Sequence, residues 1–99
     1  MLDGRAATTR RNTTSGEARS PLALLPELGT GITPREALIV DAGVVTGGGV
    51  SLAIDTTLYL IGRIYGEAAR DEAARVIEYD RAWAANRAAL GVETGRPSA

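Results

Sequence analysis

The residues whose types and spacing could do chemistry fall at three places in the chain. Thr46-Gly47-Gly48-Gly49 leads directly into an apolar stretch opened by Val50 and Ser51. Three glycines ahead of a helix could cradle an anion, because free backbone N–H groups and the positive end of the helix dipole converge there. The tract lacks the Lys-Ser/Thr that completes a P-loop, and Gly47-x-Gly49-x-x-Leu52 departs from the dinucleotide-binding pattern at its last position. A tight structural turn is therefore the favoured reading. Asp55, in the first turn of the same stretch, has the type of a catalytic carboxylate. The favoured alternative is that it stabilises a helix N-terminus electrostatically, or accepts a hydrogen bond from a neighbouring loop. Glu78-Tyr79-Asp80-Arg81 could supply an acid/base pair with a phenol, against the simpler reading of a helix surface on which Tyr79 and Trp83 pack one turn apart.

The inventory removes most alternatives. The chain has no Cys, no His and no Lys, and every basic residue is an Arg. A Cys nucleophile, a Ser-His-Asp triad, a His base, a Schiff-base Lys and the usual zinc ligands are excluded. No catalytic residue and no metal ligand is assigned, and no cofactor is expected. A formal net charge of -1 provides no long-range field for nucleic acid or an acidic membrane. Arg5, Arg10, Arg11 and Arg19 do not make a nucleic-acid arm: Asp3 and Glu17 interrupt them and no aromatic residue lies nearby to stack on bases. No apolar run reaches the roughly 20 residues of a membrane span, and the first residues lack a signal-peptide core. With no Cys to oxidise, a cytoplasmic location is the default expectation.

Ninety-nine residues suit one small domain. Residues 1–36 are rich in Thr, Ser, Arg and Gly and are expected to be poorly ordered, with a possible short strand at 5–9 and one or two helical turns between Pro21 and Gly29. Ala37-Leu38-Ile39-Val40 and Val44-Val45-Thr46 flank Asp41-Ala42-Gly43, which reads as a β-hairpin. The second arm is expected to be a buried strand feeding the glycines. From Ser51, a fitting N-cap, the hydrophobic period becomes helical. Ile54, Leu58 and Ile61 share one face with Tyr65 below, and Leu60 and Ile64 widen that face beyond a simple stripe. Gly66 would stop this helix. A second helix from Glu67, with Ala69, Ala73, Val76 and Ile77 inward, is expected to run on through Trp83 towards Leu90 and stop at Gly91. Residues 92–99 read as a disordered tail.

Taken in order, these residues carry a family resemblance. Leu2-Asp3-Gly4-Arg5-Ala6-Ala7-Thr8-Thr9, Val40-Asp41, Val45-Thr46-Gly47-Gly48-Gly49-Val50-Ser51, Ile54-Asp55 and Glu78-Tyr79 resemble the ThiJ/PfpI family of the class I glutamine amidotransferase-like superfamily. The Val-Thr-Gly-Gly-Gly-Val run looks most like its isonitrile hydratase branch. The likeness is good over 37–90, fair over 2–9 and poor over 10–35. It implies an α/β fold, the C-terminal part of a flavodoxin-like sheet with flanking helices, with residues 37–91 as the matching portion. It also implies that Thr46, Gly47, Gly48 and Gly49 border the mouth of an active site whose reactive Cys, on a strained strand-to-helix elbow, lies before the segment matched here. Relatives commonly have His or Asn where this chain has Arg10, and Gly where it has Ala53.

Three expectations follow. The first is a truncated ThiJ/PfpI-like polypeptide without independent catalysis. The second is the C-terminal part of an isonitrile hydratase or an amidase- or protease-like enzyme, completed by an upstream segment or a complementary N-terminal chain. The third is a small protein-interaction module. A helix apolar on most of its surface and supplied with few strands should seek a partner or self-associate.

Overall fold

The structure, a computed structural model, describes residues 1–94, the side chain of Val50 excepted. It is a mixed α/β arrangement of two small sheets and four helices. In the first sheet, β1 (Ala6–Ala7) pairs in parallel with β2 (Thr33–Pro34). The connection carries α1 (Pro21–Leu24), which passes straight into a 3-10 turn at Leu25–Leu28. Ser20 caps α1, its hydroxyl accepting from the Ala23 N–H at 3.2 Å, and Pro21 occupies the first turn. Pro26 has no N–H to continue the α-helical ladder, and the chain tightens there. Leu25, Ile32 and Ala7 form a small core of their own. Residues 1–36 thus contain the strand anticipated within 5–9, and also a parallel partner strand for it.

The second sheet has the order β4-β3-β5. β3 (Ile39–Asp41) and β4 (Val45–Gly47) form the antiparallel hairpin, with Gly43 at φ 87° in its turn. The fully buried strand is β3 rather than the arm that feeds the glycines. Leu38, Ile39 and Val40 are inaccessible, whereas β4 is half-buried along its length. The reason is position: β3 is central, β4 an edge. Val92–Glu93 forms β5, parallel to β3, where a disordered tail was expected from 92. The part of that tail at 95–99 lies outside the described residues.

A 3-10 turn at Val50–Leu52 opens α2 (Ala53–Tyr65). Ser51 is therefore not the N-cap; Leu52 holds that position, which has no side-chain cap. Gly66, at φ 100°, separates α2 from α3 (Glu67–Val76). The expected continuation of α3 to Leu90 does not form. The chain breaks after Val76 and resumes as α4 (Asp80–Leu90), stopped by Gly91 at φ 78°. The break is a Schellman turn: the Glu78 N–H donates to the Arg75 carbonyl at 3.0 Å and the Tyr79 N–H to the Ala74 carbonyl at 2.8 Å. Glu78 takes the left-handed conformation there, φ 59°.

Leu38, Ile39, Leu58, Ala74 and Trp83 make the main core. On α3, Ala74 is buried, while Val76 and Ile77, expected inward, are 63% and 57% exposed. The shortest dimension of the chain is 19 Å, about one sheet and one layer of helices. No helix among the described residues is long and apolar enough to cross a membrane.

Candidate functional site

An open cleft of about 550 Å³ lies at the glycine tract. Gly47, Gly48 and Gly49 form one wall, Thr9 and Arg10 a second, and Thr56 and Thr57 of α2 a third. β4 delivers the glycines, the strand that begins at Ala6 delivers Thr9 and Arg10, and helical spacing sets Ala53, Thr56 and Thr57 along one side of α2. None of the three glycines has a positive φ. Gly47 and Gly48 serve close approach: a methyl group on Gly47 would collide with the Thr56 hydroxyl, and one on Gly48 would meet the Leu52 side chain at 2.8 Å. At Gly49 a methyl would meet only Arg10 Cγ, at 3.9 Å.

Thr46 stands apart from its neighbours. Its hydroxyl accepts the Thr8 N–H at 3.0 Å, while the Thr8 hydroxyl donates to the Ala37 carbonyl at 3.3 Å. These bonds fasten the N-terminal segment to the hairpin, and Thr46 does not line the cleft. Sequence reading missed Thr9, Arg10, Thr56 and Thr57 as its walls. The i, i+3, i+4 spacing of Ala53, Thr56 and Thr57 was the available signal for α2; nothing local announces that Arg10 reaches the glycines.

The polar groups of the cleft are largely engaged. The Gly48 N–H donates to the Leu38 carbonyl at 3.0 Å, so it does not serve an anion cradle. The Thr56 hydroxyl donates to the Leu52 carbonyl at 3.3 Å and the Thr57 hydroxyl to Ala53 at 2.9 Å, leaving their oxygens as acceptors. Arg10 grips Glu17 through its two terminal guanidinium nitrogens, at 2.9 and 3.0 Å. That grip, with the Thr14 N–H at 2.7 Å, lowers the Glu17 pKa to about 2. The cleft can shape and orient a small molecule through threonine oxygens and backbone. Among the described residues its walls hold no Cys, His, Lys or carboxylate.

Asp55 and Tyr79 come together, though not as a reactive pair open to solvent. Asp55 is fully buried, and its carboxylate accepts from the Tyr79 hydroxyl at 2.9 Å and from Asn86 Nδ2 at 3.2 and 3.3 Å. Burial first, then the bond to Asp55, raises the Tyr79 pKa above its ordinary value. The Schellman turn at Glu78 aims Tyr79 at Asp55, so Asp55 does accept a hydrogen bond from a neighbouring loop. Tyr79 therefore binds across to α2 rather than simply packing on Trp83. Glu78 and Arg81 are exposed, and Asp80 opens α4. A second cluster joins Asp41 at the end of β3 to α2: Tyr59 donates to it at 2.7 Å, and Arg63 pairs with it.

No family model, no curated protein and no solved structure matches the chain. Among the described residues, no group of His, Cys, Asp and Glu could hold a metal ion.

Proposed function

We propose that this chain is the C-terminal portion of a ThiJ/PfpI-like, flavodoxin-like domain, closest in kind to an isonitrile hydratase, and that it forms one side of a catalytic cleft without being catalytic alone. The observation that carries the reading is the cleft itself. Arg10, at the position where relatives carry His or Asn, lies against Gly49, and the chain contains no Cys, His or Lys to act there. Three of the residues that the resemblance ties to an active-site mouth, Gly47, Gly48 and Gly49, thus border a cavity that offers orientation but no thiol, imidazole or amine. The layering is in keeping with this. A doubly wound sheet carries helices on both faces, and this chain has about one helical layer on short strands.

The test is turnover. The purified chain, given an isonitrile, should yield no formamide product. Purified together with a Cys-bearing partner captured from its native source, it should yield product that iodoacetamide abolishes. Turnover by the purified chain alone would overturn the proposal.

A further inference from the structure

Among the described residues that line the glycine cleft, Arg10 is the only charged one. We propose that Glu17, by cancelling the Arg10 guanidinium, makes the cleft select an uncharged hydrogen-bond donor over an anion of the same shape. That role rests on the cleft being the ligand site proposed for it, and it falls to a residue that does not itself line the wall. An uncommitted guanidinium there would make an anion site, since its planar fork matches a carboxylate or a phosphate. The loop after β1 prevents this. Arg10 Nη1 donates to the Asn12 carbonyl at 2.7 Å and to Glu17 Oε1 at 2.9 Å, and Nη2 donates to Glu17 Oε2 at 3.0 Å. Glu17 thus supplies the bidentate partner that an anionic ligand would otherwise be.

The pair is built into the loop. The Thr14 N–H donates to the Glu17 carboxylate at 2.7 Å, the Glu17 N–H donates back to the Thr14 carbonyl at 3.1 Å, and the Leu22 N–H donates to the Arg10 carbonyl at 3.1 Å, tying the same residue to α1. With its pKa held at about 2, Glu17 stays ionised at neutral pH. What Arg10 turns towards Gly49 is its aliphatic stem, Cγ being the atom that a methyl there would meet. The wall on α2 asks for donors. Thr56 and Thr57 spend their hydroxyl protons on the Leu52 and Ala53 carbonyls, so each offers an oxygen that can only accept. A primary amide can donate to those oxygens. A carboxylate of the same size has no proton to give and sets oxygen against oxygen, so the two walls select in the same direction.

Acetamide and acetate, alike in shape and different in charge, are the probes. Each is titrated into the intact chain at neutral pH and constant ionic strength while the backbone amide signals of Gly49, Thr56 and Thr57 are followed by NMR. Acetamide is expected to move them with an affinity about fivefold or more above that of acetate. Glu17→Gln should raise the acetate affinity about fivefold, the size of one partly exposed charge-assisted hydrogen bond, and leave the acetamide affinity within about twofold. Adding Arg10→Gln to that variant should take the acetate gain away. Should Glu17→Gln fail to fold, the two probes on the unaltered chain decide. Acetate bound as tightly as acetamide by the unaltered chain, no acetate gain in Glu17→Gln, or a gain that survives Arg10→Gln would each overturn the role of Glu17 while leaving the cleft a ligand site. Shifts from neither probe would overturn that role and the ligand site together. Turnover of an isonitrile by the chain alone, the result that overturns the proposed function, is read separately from either probe.

Discussion

At the scale of single residues, Asp55 and Glu17 show opposite uses of a carboxylate. Asp55 is sealed from water and satisfied by Tyr79 and Asn86. Removing the Tyr79 hydroxyl leaves a buried carboxylate one donor short, which costs about 1–3 kcal/mol; Tyr79→Phe should lower stability by that amount in urea unfolding. The raised Tyr79 pKa adds a pH signature. Its contribution is complete below the unfolded tyrosine value of about 10 and is lost as pH rises through the higher folded value. Wild type should therefore lose stability on its alkaline limb in a way that Tyr79→Phe does not. Glu17 works at the surface beside Arg10. Its folded pKa of about 2 means that its contribution is present above the unfolded value of 4.5 and is lost as pH falls towards 2. Glu17→Gln should flatten the acid limb of melting temperature against pH, and a carbon-13 NMR titration of Glu17 should give a midpoint near 2.

At the scale of elements, two local conformations set where side chains arrive. Glu78 holds a left-handed backbone at a helix end where glycine is usual, and the strain is tolerated because the turn sends Tyr79 to Asp55. Glu78→Gly should raise stability by about 1 kcal/mol, read as an upward shift in the urea midpoint with an unchanged slope. The glycine tract behaves unevenly. Gly47→Ala forces the new methyl against the Thr56 side chain and should cost about 1–3 kcal/mol. Gly49→Ala, with open space around it, should stay within about 0.5 kcal/mol of wild type. Equal losses at the two positions in thermal melts would show that the tract serves backbone conformation rather than close packing against α2.

At the scale of the whole molecule, three small cores share the burial instead of one large one. β1 and β2 enclose one, and the central strand β3 divides the other two. Leu38→Ala, in the main core where Leu38 is inaccessible, should cost about 2–5 kcal/mol in urea unfolding.

What the residues alone determined was local. The hairpin around Gly43, the stops at Gly66 and Gly91 and the helical period after Ser51 were legible because each rests on neighbours in the chain, through turn chemistry or 3.6-residue spacing. Tertiary structure alone decided the rest. It paired Ala6–Ala7 with Thr33–Pro34, recruited Val92–Glu93 to the sheet, buried Ala74 in place of Val76 and Ile77, and brought Arg10 to the glycines. Strand partners and buried faces are settled by which distant segments compete for the same hydrogen bonds and apolar surface, and no window of sequence contains that competition.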